Sequence, residues 1–259
     1  MRTIFALTGV VIKELYRRKD FYVLFVLTAL LTVAAGAVNF FHDDKIVRIV
    51  KDVCLLLIWI SALVIAIVTT GRQIPAEREA RTIFPLLAKP VSRWQVIVGK
   101  FLGCWLATGV ALVVFYFFFA VITGSRESIW PVMLYFQAAW MQWFMLAIVI
   151  GMVLLGSIYF AAPSSTNTIA FIVVVGIIGL GSHLNTIALQ QPQPMQSLLA
   201  WLYFLLPHLE WYDLRDMVVY DQQTVPWLAV IEATVYAGVW TAIFLLLAWM
   251  GFRRKTLTT

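Results

Sequence analysis

Charge is scarce in this sequence: Asp, Glu, Lys and Arg make up 12% of 259 residues, 62% are hydrophobic, and the mean hydropathy is +0.90. Soluble domains carry about a quarter charged residues, so composition alone excludes a purely soluble enzyme. Cysteine is scarcer still. Cys54 and Cys104 stand apart inside apolar runs, which suits small core hydrophobes better than a disulfide or metal pair. The three histidines, His42, His183 and His208, have no HExxH or comparable spacing, so no metal site is expected. GxxxxGK[ST] is absent, as is a GxGxxG opening a helix after a strand; the chain cannot hold nucleotide phosphates in either way. The serines of GSHLN (181–185) and APSSTN (162–167) have no histidine and carboxylate framework to activate them, which argues against a hydrolase. The formal charge of +6 would elsewhere suggest nucleic acid. Here the basic residues border apolar runs without forming an aromatic-interleaved surface, and no nucleic-acid partner is expected.

Long apolar runs are what the sequence has in abundance. Six stand out, at 21–41, 53–70, 101–122, 138–160, 169–189 and 227–250. As helices of 1.5 Å rise they are about 27 to 36 Å long, which matches a hydrocarbon core of about 30 Å. Strands would need an apolar residue at every second position and a polar inner face, whereas 111–121 is apolar on all sides. The expected fold is therefore all-α: one polytopic membrane domain over 1–259 with six transmembrane helices. An ion-coupled carrier would show broken helices or charges near mid-membrane, and these runs are mostly uninterrupted. A cleaved leader ending near Ala35–Ala37 is disfavoured, because the basic start of some twenty residues and the spanning-length run after it are both too long.

Sidedness follows from the distribution of basic residues. Arg2, Lys13, Arg17, Arg18, Lys19, Arg72, Arg78, Arg81, Lys89, Arg93, Lys100, Arg253, Arg254 and Lys255 fall on one side, and Lys45, Arg48, Lys51, Arg126 and Arg215 on the other. Fourteen against five assigns both termini and the 71–100 connection to the cytoplasm.

Residues 1–20 predict an amphipathic helix with Ile4, Leu7, Val11 and Leu15 on one face, suited to lying along the inner membrane surface. In the cytoplasmic connection GRQIPAEREARTIFPLLAKPVSRWQVIVGK (71–100), Pro75 can start a helix that Pro85 stops, with Glu77 and Arg81 four residues apart. A second helix, capped by Ser92, runs through Trp94, Val96 and Ile97 into the third span. Two stiff pieces with proline punctuation make a connector able to transmit force; a solvated loop whose charges only set topology is the alternative. Gly99 and Gly103 form a GxxxG at the base of the third span, which permits close helix approach. Outside, 190–226 carries an apolar patch at 198–206, too short to cross and expected to form an interfacial or re-entrant helix. The following PHLEWYDLRD (207–216), with Glu210 and Asp213, either lines an external mouth or caps the bundle. Glu232 near the outer end of the last span, and His183 with Asn185 near the outer end of the fifth, are the remaining candidates for a polar path.

The N-terminal amphipathic stretch with Lys13, Glu14 and Leu15, the segment LLAKPVSRWQVIVGKFLG (86–103), the six-run layout and the basic GFRRK tail (251–255) together make the chain resemble the membrane-spanning permease subunits of ABC-2 type ATP-binding-cassette exporters, in particular the bacterial branch that includes the permease of the nitrous-oxide-reductase maturation system. The resemblance covers essentially the whole chain. It implies a coupling helix between the second and third spans. The part matching Glu77 to Leu87, with Arg78, Arg81 and Phe84, would dock in a groove of a separate ATPase subunit, and Pro90, Arg93, Gly99 and Lys100 would match the segment that follows. Relatives often have a glycine after the acidic helix start, where this chain has Arg81, Thr82, Ile83 and Phe84 before Pro85.

The partners implied are an ABC ATPase with a Walker A motif, a second permease copy or a similar permease, an external accessory protein, and membrane lipid. The chain itself would bind no cofactor, ATP and Mg belonging to the ATPase, and would not be an enzyme. The function implied is ATP-driven transport, in the outward direction by resemblance, at the bacterial cytoplasmic membrane. The competing expectation is a membrane subunit that passes force or signal to an external protein without moving a solute. An apolar interior is compatible with lipids, drugs, peptides or a membrane-attached polymer as cargo.

Overall fold

The computed structural model describes residues 2–17, 26, 30, 44–79, 92–127, 131–160, 162–190, 192–220 and 222–254. Among them all regular structure is helical: α1 (Arg2–Arg17), α2 (Asp44–Gly71), α3 (Pro75–Glu79), α4 (Arg93–Glu127), α5 (Val132–Tyr159), α6 (Pro163–Gln190), α7 (Met195–Leu205), a 3₁₀ turn (Leu209–Tyr212), α8 (Arg215–Val219) and α9 (Trp227–Arg254). Five helices in this set are long and apolar enough to cross a membrane, and they correspond to the second to sixth apolar runs. The first run, 21–41, lies outside the described residues apart from Val26 and Leu30, both helical.

The helices outrun the apolar stretches that announce them. α4 begins at Arg93 rather than near 101, because Ser92 and Gln95 form a reciprocal capping box: the Gln95 amide donates to Ser92 Oγ at 3.3 Å and the Ser92 amide to Gln95 Oε1 at 3.0 Å. Its 35 residues make about 52 Å of continuous helix, longer than the hydrocarbon core. α6 starts six residues before its apolar run, with Pro163 in the first-turn position where a missing N–H costs nothing. Between α2 and α3 the chain turns rather than stops, since Pro75 has no N–H to offer the Gly71 carbonyl. Backbone bonds from Ala76 to Arg72 and from Arg78 to Ile74 carry the helical sense across the turn.

α5 is the axis of the bundle. Its apolar window is 72% buried, against 22% for α6 and 28% for α9, as expected of a helix that is hydrophobic all round. α9 runs parallel to it in close contact: a Cβ built on Gly151 would lie 3.3 Å from Phe244 Cβ, and one on Gly251 would lie 2.9 Å from the Tyr159 hydroxyl. α4 runs antiparallel to α5 and is riveted to it at mid-height. Trp105 and Trp143 stack with centroids 4.4 Å apart, and each indole N–H donates to the other's backbone carbonyl, at 3.0 and 3.1 Å. Gly109 makes room for the Trp143 indole, which would lie 2.5 Å from a Cβ there. Cys54 and Cys104 are both buried and neither is in a disulfide.

The GxxxG of α4 does bring a helix close, and that helix is α1. A Cβ on Gly99 would sit 2.7 Å from Leu7 Cβ, one on Gly103 would sit 2.6 Å from Val11 Cβ, and Thr8 Oγ1 donates to the Gly99 carbonyl at 3.3 Å. Val11 and Leu15 are buried while Phe5, Val10, Lys13 and Arg17 are exposed. The apolar stripe expected to meet the membrane surface is thus covered largely by protein. Replacing Gly103 by Leu is expected to prise α1 from α4 and to raise amide exchange in residues 2–17 severalfold; unchanged protection there would contradict this packing.

Candidate coupling site

Among the described residues, five long-helix ends on one side of the bundle converge on the short segments that flank the middle of the 71–100 connector. The C-terminal ends of α2, α5 and α9 and the N-terminal ends of α4 and α6 meet there, with α1 alongside. The last carbonyls of a helix have no partner within it and carry the negative end of its dipole, so three such ends create a demand for donors and positive charge. Arg78, Arg93 and Lys100 supply both.

Lys100 is the innermost of the three, 3% exposed within α4. Its ammonium has three N–H bonds and finds three acceptors: Glu77 Oε1 at 2.6 Å, the Gln73 carbonyl at 3.1 Å and Gln73 Oε1 at 3.3 Å. A buried charge is tolerated when it is paired and its remaining hydrogen-bonding capacity is met. Gln73 is oriented in turn by donating from Nε2 to the Thr69 carbonyl at 3.4 Å. The expected Glu77–Arg81 spacing pair falls on a residue outside the described set; the partner seen for Glu77 is Lys100, 23 positions away.

Arg78 and Arg93 serve the other two ends. Arg78 Nη1 donates to the Ile158 carbonyl at the end of α5 at 3.0 Å. Its Nε and Nη2 are buried with no hydrogen-bond partner among the described residues. Arg93 Nη1 donates to the carbonyls of Phe252 and Arg253, at 2.6 and 3.0 Å, and its guanidinium lies 5.5 Å from the centre of the Phe252 ring. Trp94 packs edge-on against Trp249 at 6.4 Å, and Arg253 covers Trp249 at 5.8 Å. Gly71 completes the contact between α2 and α6, since any side chain there would collide with Asn167.

Of the residues singled out in the sequence, Glu77, Arg78, Arg93, Gly99 and Gly103 therefore fall in one cluster. Arg81, Phe84, Leu87 and Pro90 lie outside the described residues. Lys100, counted mainly as a topology charge, proves central; the signal that could have found it is a lysine seven positions inside a helix whose following residues are apolar.

The outer residues do not form one site. Asp213 holds Arg215 through both carboxylate oxygens, with contacts of 2.6 to 3.0 Å. These hydrogen bonds keep the guanidinium protonated beyond its already high ordinary range, outweighing desolvation. Glu210 lies 3.2 Å from His208 Nδ1. The Tyr212 hydroxyl donates to the Ala233 carbonyl at 2.7 Å, and burial pushes its phenol well above the usual range. The Gln137 amide exchanges two hydrogen bonds with the backbone of Val225, at 2.9 and 3.0 Å. This is the packing of a cap. Glu232 and His183 sit on exposed faces of α9 and α6.

Between α4 and α5 an apolar groove of about 420 Å³ is lined by residues including Leu106, Val110, Val113, Phe136, Trp140 and Trp143, with no charged residue among them. Among the described residues no group of His, Cys, Asp or Glu side chains could hold a metal ion.

Removing one member of the Lys100–Glu77 pair strands a buried or half-buried charge. Lys100→Met and Glu77→Gln are each expected to lose about 2 kcal/mol, and the double variant less than the sum. Thermal unfolding of the four proteins in detergent checks this, and simple additivity would show that the pair does not couple.

The comparisons with known proteins agree with this architecture. No curated protein matches the chain significantly. A family model described as ABC-2 family transporter protein matches residues 26–257, nearly the whole chain from the first apolar run to the C-terminal tail. The chain therefore belongs to the ABC-2 transporter family and is an integral membrane subunit of an ABC transporter rather than a catalytic component.

Proposed function

We propose that this chain is the mechanical half of an ATP-driven exporter, with the 71–100 connector as the part gripped by a separate ATPase subunit. The observation that carries the reading is the inner node: Lys100, Arg78 and Arg93 tie the connector's two flanks to the ends of α2, α5 and α9. A subunit seated on residues 80–91 would pull on both flanks, and through them on three membrane helices. The family supplies the expectation of an ATPase partner, and the chain's lack of phosphate-binding motifs requires that nucleotide be held elsewhere.

The orientation follows the charge count: connector and both termini in the cytoplasm of a bacterial cell. α1 and the end of α9 lie at the same end of the bundle as the connector, which supports it. Two permease copies, or one with a similar partner, each carrying an ATPase, complete the assembly. ATP binding draws the ATPases together and shifts the spans between two arrangements, and hydrolysis resets them. Arg78 gives this shift a chemical handle. Two of its guanidinium nitrogens are buried without partners among the described residues, and an arrangement or a docked subunit offering them an acceptor would be favoured.

A cysteine at Ser92 should be inaccessible to a membrane-impermeant thiol reagent in intact cells and reactive in inverted vesicles; labelling from outside would remove the basis for the mechanism. With orientation established, Arg81→Glu is expected to cut co-purification of the ATPase severalfold, and Phe84→Ala to lower transport per ATP hydrolysed. Wild-type values for both would show that the connector is not the docking element.

A further inference from the structure

At the end of the bundle opposite the coupling node, one titratable side chain is enclosed in a way that the transport reading does not use. His208 is 6% exposed. Its ring lies 4.2 Å from Tyr203 of α7, 4.8 Å from Trp211 and 6.2 Å from Tyr236 of α9, measured between ring centres. Its backbone N–H donates to the Tyr236 hydroxyl at 3.1 Å. Its Nδ1 is 3.2 Å from Glu210 Oε1, yet the geometry there does not make an aligned hydrogen bond, and Glu210 Oε2 is also without one. Glu210 Oε2 lies against α6 at Gly181, where a Cβ would be 2.5 Å from it.

We infer that His208 and Glu210 form a proton-operated latch, which pins the 207–212 segment to α6, α7 and α9 when the imidazole is charged and loosens it when the imidazole is neutral. The inference rests on the proposed orientation, which exposes this end to the exterior. Tyr203 and Trp211 lie within cation–π range of the ring and the Glu210 carboxylate lies beside Nδ1, so a charged imidazole gains contacts here that act against the cost of burying it. A neutral ring with its proton on Nδ1 keeps only a neutral hydrogen bond toward Glu210, and one with its lone pair there has no proton to offer. Among the described residues the groups facing His208 are these. Glu210 comes from its own segment, the phenols of Tyr203 and Tyr236 come from α7 and α9, and Trp211 does not titrate. On α6 the contact is Gly181, and the nearest titratable residue along that helix, His183, is exposed. Imidazole is the group that ordinarily changes charge between about pH 5 and 8, so the latch would respond to external acidity. Because it joins α7 to the outer ends of α6 and α9, its release frees the outer cap and leaves the inner node untouched.

The latch is tested in the full chain in cells with a membrane-impermeant thiol reagent, after subtraction of the parental signal. Leu209→Cys places the thiol at a buried position inside the latch, and Tyr220→Cys at an exposed one. Their rate ratio removes most of the reagent's own pH dependence. The Leu209→Cys rate relative to Tyr220→Cys is expected to be about fivefold lower at external pH 5.5 than at pH 8. In H208Q, or in E210Q if the first variant does not accumulate, the ratio should lose its pH dependence. A flat ratio with His208 and Glu210 intact overturns the proposal, as does a pH dependence that survives both substitutions. If Tyr220→Cys cannot be labelled from outside at all, the orientation is wrong, and the same ratio measured in inverted vesicles still decides the latch.

Discussion

Carbonyl groups at the last turn of a helix have no partner within it, and in a bundle that stands in hydrocarbon these ends cannot be left to chance. The inner face of this protein is organised around that constraint. Arg78 completes the end of α5, Arg93 completes the end of α9, and Lys100 gathers the turn that follows α2. Each is a cation placed where the helix dipole is negative, and each comes from the connector's flanks or the helix the connector feeds. Lys100 imposes the strictest condition. A buried ammonium needs a carboxylate and two further acceptors, so Gln73 and Glu77 must stand where they do, and the turn forced by Pro75 is what lets them face α4.

The outer end solves its packing with different chemistry. There the connections are long and irregular, and their backbone groups are met one at a time: Gln137 mimics a strand partner for Val225, Tyr212 reaches the Ala233 carbonyl, and Trp140 donates to Thr234. The Asp213–Arg215 ion pair and the His208–Glu210 contact are local, each spanning two residues in sequence. Such contacts seal a cap without tying it to the far side of the membrane. Between the two ends stands α5, buried along most of its length and joined to α4 through the paired tryptophans.

The spanning helices were legible because hydrocarbon leaves few options: any run of 18 or more apolar residues must satisfy its own backbone. The capping residue Ser92 and the helix start at Pro75 were legible for the same local reason, as each acts within four residues. The GxxxG at Gly99 and Gly103 announced a close approach but not its partner, because the small-residue pattern records the space and not what fills it. α1 had an apolar stripe that suits a membrane surface and a helix equally well, and only tertiary contact with Leu7 and Val11 decides between them. Least legible were the long-range polar contacts. Arg78 to Ile158 and Arg93 to Phe252 join residues 80 and 159 positions apart, and no periodicity encodes an acceptor that is a backbone carbonyl. His208 was hidden for a related reason: alone it is an isolated histidine, and its meaning comes from rings on two other helices.

The inner node also limits how the connector can move. Its contacts lie between 2.6 and 3.3 Å, and a hydrogen bond fades over less than about an ångström beyond that range. A gradual slide would therefore leave Lys100 buried with too few acceptors, at a cost comparable to breaking a buried ion pair. A low-cost rearrangement of the node would have to give Lys100 new acceptors as it leaves the old ones. Close-packed interfaces of this kind are bistable rather than continuously deformable. Such an element has few arrangements in which its helix ends are held, and a gradual drift between them is costly.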